Sequence, residues 1–233
     1  MKFKIHYIIL LAIAFGVQSC KKDNYEAPTS TLSGRIMYNG EEIGLEFNQV
    51  PVELYQPGFG KSGAIATTFG QDGTYSSLLF DGQYKLIIPN GQGPFRWQEN
   101  ASGGRDTLNV AVSGNQTLDL EATPYFLLRN AAYTVNGTTL SATCRIDQII
   151  TGADAKLIEN VALFINKTQF VSRADNIANM ELAAEAITDP TNVAFSVTIP
   201  AITPTQNYVF ARIGLKISGV EDMIFSPLQK IQL

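Results

Sequence analysis

Residues 140–147 read Leu-Ser-Ala-Thr-Cys-Arg-Ile-Asp, placing Leu140, Ala142, Cys144 and Ile146 on one parity and Ser141, Thr143, Arg145 and Asp147 on the other. A period of two marks a strand with one face buried and the other wet. The same grammar recurs along the chain. Leu32, Gly34, Ile36 and Tyr38 share a face opposite Ser33 and Arg35, and Tyr84, Leu86 and Ile88 alternate likewise. Leu108, Val110 and Val112 continue across Gly114-Asn115 to Leu118 and Leu120, which predicts a meander. Turn chemistry separates these runs: Asn39-Gly40, Gln71-Asp72-Gly73 opening a hairpin, Asp81-Gly82, Pro89-Asn90-Gly91 and Asn136-Gly137. The expected fold is all-β.

Thr123-Pro124 divides the chain, because proline stops the preceding strand and a fresh apolar run, Tyr125 to Leu128, follows at once. Residues 30–121 then form one small β-sandwich and residues 124–233 a second, with further strands at Val161 to Ile165, Val193 to Ile199, Tyr208 to Ile217 and Met223 to Ile231. Arg173 to Ile187 is rich in Ala, Glu, Met and Leu, which predicts one short helix crossing the second sandwich.

Upstream of the strands, Lys2 and Lys4 precede an apolar run from Ile5 to Phe15, and small Ser19 is followed by Cys20. This is the layout of a bacterial lipoprotein signal over residues 1–19, with Cys20 as the lipidated first residue of the mature chain and residues 20–29 as a polar tether. The apolar run falls short of the roughly 20 residues that span a bilayer, so the expected link to the membrane is the lipid.

Removing residues 1–19 takes away Lys2, Lys4 and the single histidine, His6, leaving 15 basic residues against 21 acidic and a net charge of −6. No basic stripe remains for phosphates, so nucleic acid is not an expected partner. Without histidine there is no Ser-His-Asp triad and no histidine-ligated zinc. Neither catalytic residues nor a metal or other cofactor is expected. Gly60-Lys61-Ser62 lacks the glycine that a phosphate loop needs five residues earlier, where Tyr55 stands. Glu41, Glu42, Glu53, Asp119, Glu121, Glu221 and Asp222 fall in turns or on outward parities, where carboxylates are solvated rather than tuned for glycoside hydrolysis. Cys144 is left unpaired in the mature chain and shares the apolar parity, which predicts a buried thiol.

Two groups of residues stand out as binding candidates. Phe95, Arg96, Trp97 and Gln98 follow a glycine-rich loop and combine the only tryptophan with a guanidinium and an amide, a set suited to stacking on sugar faces and bonding hydroxyls. The competing structural reading is an aromatic plug at the open end of a sandwich. Tyr208, Phe210 and Arg212 share the outward parity of a late strand and form a second candidate surface, with burial against the first domain as the rival.

Asp23 to Pro28 with Leu32-Ser33-Gly34-Arg35-Ile36, Gln71 to Tyr75, Gly82 to Leu86 and Gly93-Pro94-Phe95 resembles the N-terminal domain of an uncharacterised Bacteroidetes lipoprotein family. That domain is similar to the carboxypeptidase regulatory-like, transthyretin-like sandwich. Tyr208 to Gly214 and Asp222 to Pro227 resemble the same family's second, Ig-like domain. The resemblance implies an outer-membrane lipoprotein of the kind found beside TonB-dependent glycan importers, with a polysaccharide or oligosaccharide and the importer complex as expected partners. It carries no catalytic residues to transfer. The cell surface is the expected location, but Lys21 and Lys22 stand where surface lipoproteins of the phylum often carry acids, so the periplasmic face stays open. Asp106-Thr107-Leu108 resembles the phylum's O-glycosylation pattern, with Thr107 as acceptor. The expected function is therefore an accessory glycan-binding or complex-stabilising role, and the alternative is a structural or adhesive protein of minor fimbrial type.

Overall fold

A computed structural model describes residues 26–58 and 63–233, so the signal segment, Cys20 and Gly60-Lys61-Ser62 lie outside the described residues. The strands are β1 (Ser30–Tyr38), β2 (Glu41–Glu42), β3 (Pro51–Tyr55), β4 (Ile65–Thr68), β5 (Thr74–Leu79), β6 (Gly82–Ile87), β7 (Phe95–Arg96), β8 (Leu108–Val112), β9 (Gln116–Thr117) and β10 (Leu120–Glu121) in the first half. The second half holds β11 (Thr123–Pro124), β12 (Phe126–Asn136), β13 (Thr139–Gln148), β14 (Ile158–Asn166), β15 (Ala178–Ala183), β16 (Val193–Thr198), β17 (Tyr208–Ile217), β18 (Ile224–Phe225) and β19 (Gln229–Gln232).

Each half is a sandwich. In the first, β1 pairs with β2 and β5 antiparallel and with β9 and β10 parallel, facing a sheet of order β4-β3-β6-β8. Ser30, Leu32, Gly34 and Ile36 of β1 point inward, as their parity requires. Asn39 and Gly40 both take positive φ, 50° and 82°, the geometry that lets a two-residue turn follow strand twist. The expected meander and the Gln71-Asp72-Gly73 hairpin are corrected. The turn at Gly73 carries the chain from one sheet to the other, and Gly114-Asn115 leads from β8 into two-residue strands beside β1. Side chains break that last segment up: Asn115 Oδ1 accepts the Thr31 N–H and Asp119 Oδ1 the Arg35 N–H, both at 2.9 Å, in place of ladder carbonyls.

In the second half, β12-β13-β16 faces β15-β14-β17, with β18 and β19 paired along β17. The short helix expected over Arg173 to Ile187 is absent. Ser172 Oγ accepts the backbone N–H groups of Ala174 and Asp175 in a turn, β15 then pairs antiparallel with β14, and only Ala184–Ala186 forms a single 3₁₀ turn. Along β15, Ala178, Met180 and Leu182 are half-buried while Asn179, Glu181 and Ala183 are exposed. Pairing with the free edge of β14 outweighs an intrinsic helix preference of a few tenths of a kcal/mol per residue.

One hydrophobic cluster runs through both sandwiches, and a second, smaller one packs Val171, Met223 and Phe225 onto Ala162 and Phe164 on the outer face of β14. The halves are stitched together at this covered face. Gly44 bridges to Phe225, whose N–H donates to the Gly44 carbonyl at 3.0 Å, and a Cβ on Gly44 would lie 2.4 Å from the Phe225 carbonyl oxygen. Only glycine permits that approach.

Candidate ligand-binding cleft

The loop expected to bind sugar is folded inward. Phe95 is 1% exposed and Trp97 3%, and the indole Nε1 donates to the Asp106 carbonyl at 2.8 Å. Arg105 crosses beneath, donating to the carbonyls of Ile88, Pro89 and Gln92, while β7 pairs with β11 so that Phe95 faces Pro124. The exposed indole platform is thus corrected to a plug. Burying large aromatic area offsets more chain entropy than a wet contact, and the indole N–H finds a carbonyl at no loss. Arg96 and Gln98 point out, but Arg96 is engaged by Glu99 and Asp154. A cavity of about 450 Å³ beside this loop is lined by Arg96, Arg105, Tyr125, Asp154 and Lys156; Arg96 pairs with Asp154, Arg105 is bonded to backbone carbonyls, and Lys156 Nζ lies 5.4 Å from the Tyr125 ring centroid.

The second candidate surface is likewise divided. Tyr208 and Phe210 are half-buried and meet edge to face at 5.6 Å, with Lys230 Nζ 3.9 Å above the Tyr208 ring. Arg212 is fully buried, which corrects its outward placement: the segment containing Met223 and Phe225 covers that face of β17. Its guanidinium lies 4.3 Å from the Phe225 ring centroid and donates to the carbonyls of Leu45, Gln71 and Ser226 at 3.0–3.2 Å. Burial pulls its pKa down to about 9, with the nearby Tyr133, Glu46 and Asp72 opposing the shift, so it stays cationic at neutral pH. Arg212 is a rivet between the sandwiches. Thr107 is half-buried in the connection just before β8, its N–H bonded to Asp106 Oδ1. Cys144 is buried as expected, and burial pushes its thiol up to about 12.

The junction that Arg212 rivets opens on one side into a cleft of about 450 Å³. Two rings stand in it, Phe47 from the first half and Phe170 from the second, 48% and 38% exposed, with centroids 4.7 Å apart and planes at 53°. Both loops are pinned. Asn48 N–H donates to the Phe69 carbonyl and Leu45 N–H to that of Gln71, each at 3.1 Å, on either side of Phe47. The Phe170 carbonyl accepts Asn166 Nδ2 at 2.6 Å, and the Val171 N–H donates to Gln71 Oε1 at 3.0 Å. Gln71 completes the stitch by donating Nε2 to the Gln169 carbonyl at 2.7 Å.

Polar groups rim the rings. Glu42 pairs with Arg35, and Asp72 Oδ1 accepts both the N–H and hydroxyl of Thr74. Burial pushes the Asp72 carboxyl upward, but the Thr74 bonds and Arg35 outweigh it and hold the group below its ordinary value. The lining contains two carboxylates and no cation. A neighbouring hollow of about 510 Å³ shares Glu42 and Pro227 with the cleft and extends it past Arg129 and Asn130. Among the described residues, no three His, Cys, Asp or Glu side chains converge as a metal site requires.

Nothing in sequence pattern linked Phe47 to Phe170. Each sits in a connection, where parity carries no information. The one available signal was a phenylalanine directly after a polar residue in a connection, in Glu46-Phe47 and Gln169-Phe170.

Fold and junction define a tandem of two β-sandwiches locked into one unit with a preformed cleft between them. The chain belongs to the DUF3823 family: residues 30–123 match the model described as "Protein of unknown function (DUF3823) N-terminal domain" and residues 126–230 the "Domain of unknown function (DUF3823_C)". It is similar to a DUF3823 family protein from Parabacteroides merdae, at 33% identity and TM-score 0.76, over 89% of this chain and 100% of that one. A Bacteroides ovatus family member matches at 28% identity and TM-score 0.76, over 88% and 100%. A Bacteroides uniformis structure described as a "putative carbohydrate binding protein" shares the fold at 18% identity and TM-score 0.67, over 88% and 100%. No curated protein matches the chain.

Proposed function

We propose that this protein is a non-catalytic, lipid-anchored outer-membrane protein that holds a neutral glycan in the Phe47–Phe170 cleft, as an accessory to a TonB-dependent glycan importer. The observation that carries the reading is the pair of exposed rings, 4.7 Å apart on pinned loops from opposite sandwiches. Rings held open to solvent offer faces on which the C–H surfaces of a sugar stack, while the carboxylates and amides around them take hydroxyl hydrogen bonds. With Glu42 and Asp72 lining it and no cation, the cleft disfavours acidic sugars. The hollow beyond Pro227 lets an extended chain run past the rings. The Bacteroides uniformis neighbour's description agrees with this class of ligand, although at 18% identity the likeness itself concerns fold.

We read the cleft as one that binds without cleaving, supported by the state of Asp72. A glycosidase needs one carboxyl held protonated, whereas Asp72 is held ionised and suits hydrogen-bond acceptance. The lipoprotein signal pattern that ends at Ser19-Cys20 supports the localisation, on the cell surface or the periplasmic face. A shallow site has modest affinity, and clustering several such proteins around an importer raises the effective ligand concentration.

The test is titration of the purified protein against neutral and acidic polysaccharides. Phe47→Ala and Phe170→Ala are each expected to weaken binding of a neutral glycan by about tenfold, equivalent to about 1.4 kcal/mol, with an unchanged melting temperature. Binding left intact by both substitutions, or found only for acidic chains, overturns the assignment.

A further inference from the structure

Among the described residues the first sandwich exposes five large apolar side chains: Phe47, Tyr55, Ile65, Leu78 and Phe80. Phe47 belongs to the cleft, and the other four gather at the opposite end. Tyr55 is the last residue of β3 and Ile65 the first of β4, in register opposite Leu54. Leu78 lies near the end of β5, opposite Thr31 at the start of β1, and Phe80 follows in the connection to β6. The Thr67 hydroxyl bonds the Ser76 carbonyl at 3.0 Å and sets β4 alongside β5, so Ile65 and Leu78, each two residues farther from the Gly73 turn, lie on the same edge. Leu78, at 59% exposed, is the most open of the four.

This end is also where the chain enters the fold. Ser30 faces Leu79 across the ladder and bonds Asp81 through its hydroxyl. If Cys20 carries lipid, the ten residues from Cys20 to Thr29 reach no more than about 35 Å, so the entry pole is held within a tether's length of the bilayer. Exposed apolar side chains kept close to a lipid surface lower their free energy by entering the headgroup boundary, where aliphatic and aromatic groups settle.

We infer that the pole formed by Tyr55, Ile65, Leu78 and Phe80 rests on the bilayer that the N-terminus is tethered to. The cleft lies at the other end of the first sandwich, so this contact holds the rings of Phe47 and Phe170 away from the membrane and toward ligand. The inference rests on the lipid attachment at Cys20 and goes beyond it: attachment of a lipid does not by itself set which face of the fold meets the bilayer.

The lipidated full chain, reconstituted in vesicles of phosphatidylethanolamine and phosphatidylglycerol, provides the test. Buried Cys144 does not compete for label, so a bimane is attached to Leu78→Cys and, in a separate sample, to Glu185→Cys on the second sandwich. Headgroup-level spin-labelled lipid is expected to quench the first several-fold more than the second. Phe80→Asp in the Leu78→Cys background should remove the difference while the protein still floats with the vesicles. Flotation with equal quenching at the two positions overturns pole contact and leaves the lipid anchor standing. Failure to float overturns both.

Discussion

Arg212 shows how parity misleads when a face is covered by a later segment. On β17 it alternates with Val209, Ala211 and Ile213, which predicts exposure, yet it is sealed beneath Phe225 with backbone carbonyls as its solvent. A buried cation costs several kcal/mol of desolvation unless its donors are met, and the planar guanidinium meets carbonyls from both sandwiches at once. Lysine cannot reproduce that fork. Arg212→Lys is expected to destabilise the protein by about 3 kcal/mol, since it strands backbone carbonyls of Leu45, Gln71 and Ser226 that the guanidinium now satisfies together. Denaturant unfolding monitored by circular dichroism checks this, and a loss under about 1 kcal/mol would show that the junction does not depend on the fork. Trp97 errs in the same direction for a different reason: a glycine-rich loop suggested exposure, and the indole instead caps the first sandwich.

At the level of elements, the alternating strands were legible and the one proposed helix was not. Leu140, Ala142, Cys144 and Ile146 are all buried on β13, as their spacing requires. Arg173 to Ile187 has the composition of a helix but lies next to the open edge of β14, whose backbone groups need partners. Replacing Ala183, exposed at the end of β15, separates the two preferences. Ala183→Thr should raise stability by less than about 1 kcal/mol in a strand, whereas a helix would lose about half a kcal/mol. The sign of the shift in the denaturation midpoint decides between them.

Across the whole molecule, the junction also carries a titratable group. Asp222 is buried with its carboxylate accepting the Gly93 N–H at 2.6 Å, and burial raises its pKa despite that bond and the opposing charges of Lys216 and Arg105. In the window between its unfolded and folded pKa values the native state keeps a proton that the unfolded chain has released. Stability therefore falls as pH rises through that window. Asp222→Asn retains an acceptor for Gly93 and is expected to remove this decline, giving a higher melting temperature than wild type at pH 7. If the two proteins have parallel profiles from pH 4 to pH 7, the carboxyl does not titrate with folding. The shared core and the riveted junction also predict that the halves melt together.

The sequence by itself determined the all-β class, the strand faces and the division into two sandwiches of similar size, because a period of two and turn-forming residues are local properties of the chain. Tertiary structure alone decided which sheet each short strand joins, that Arg173 to Ile187 becomes an edge strand, that Trp97 and Arg212 are sealed, and that Phe47 meets Phe170. Each of those outcomes depends on which remote backbone edge or apolar face lies within reach. Free energies of that kind arise between segments far apart in the chain, and no window of residues contains both partners.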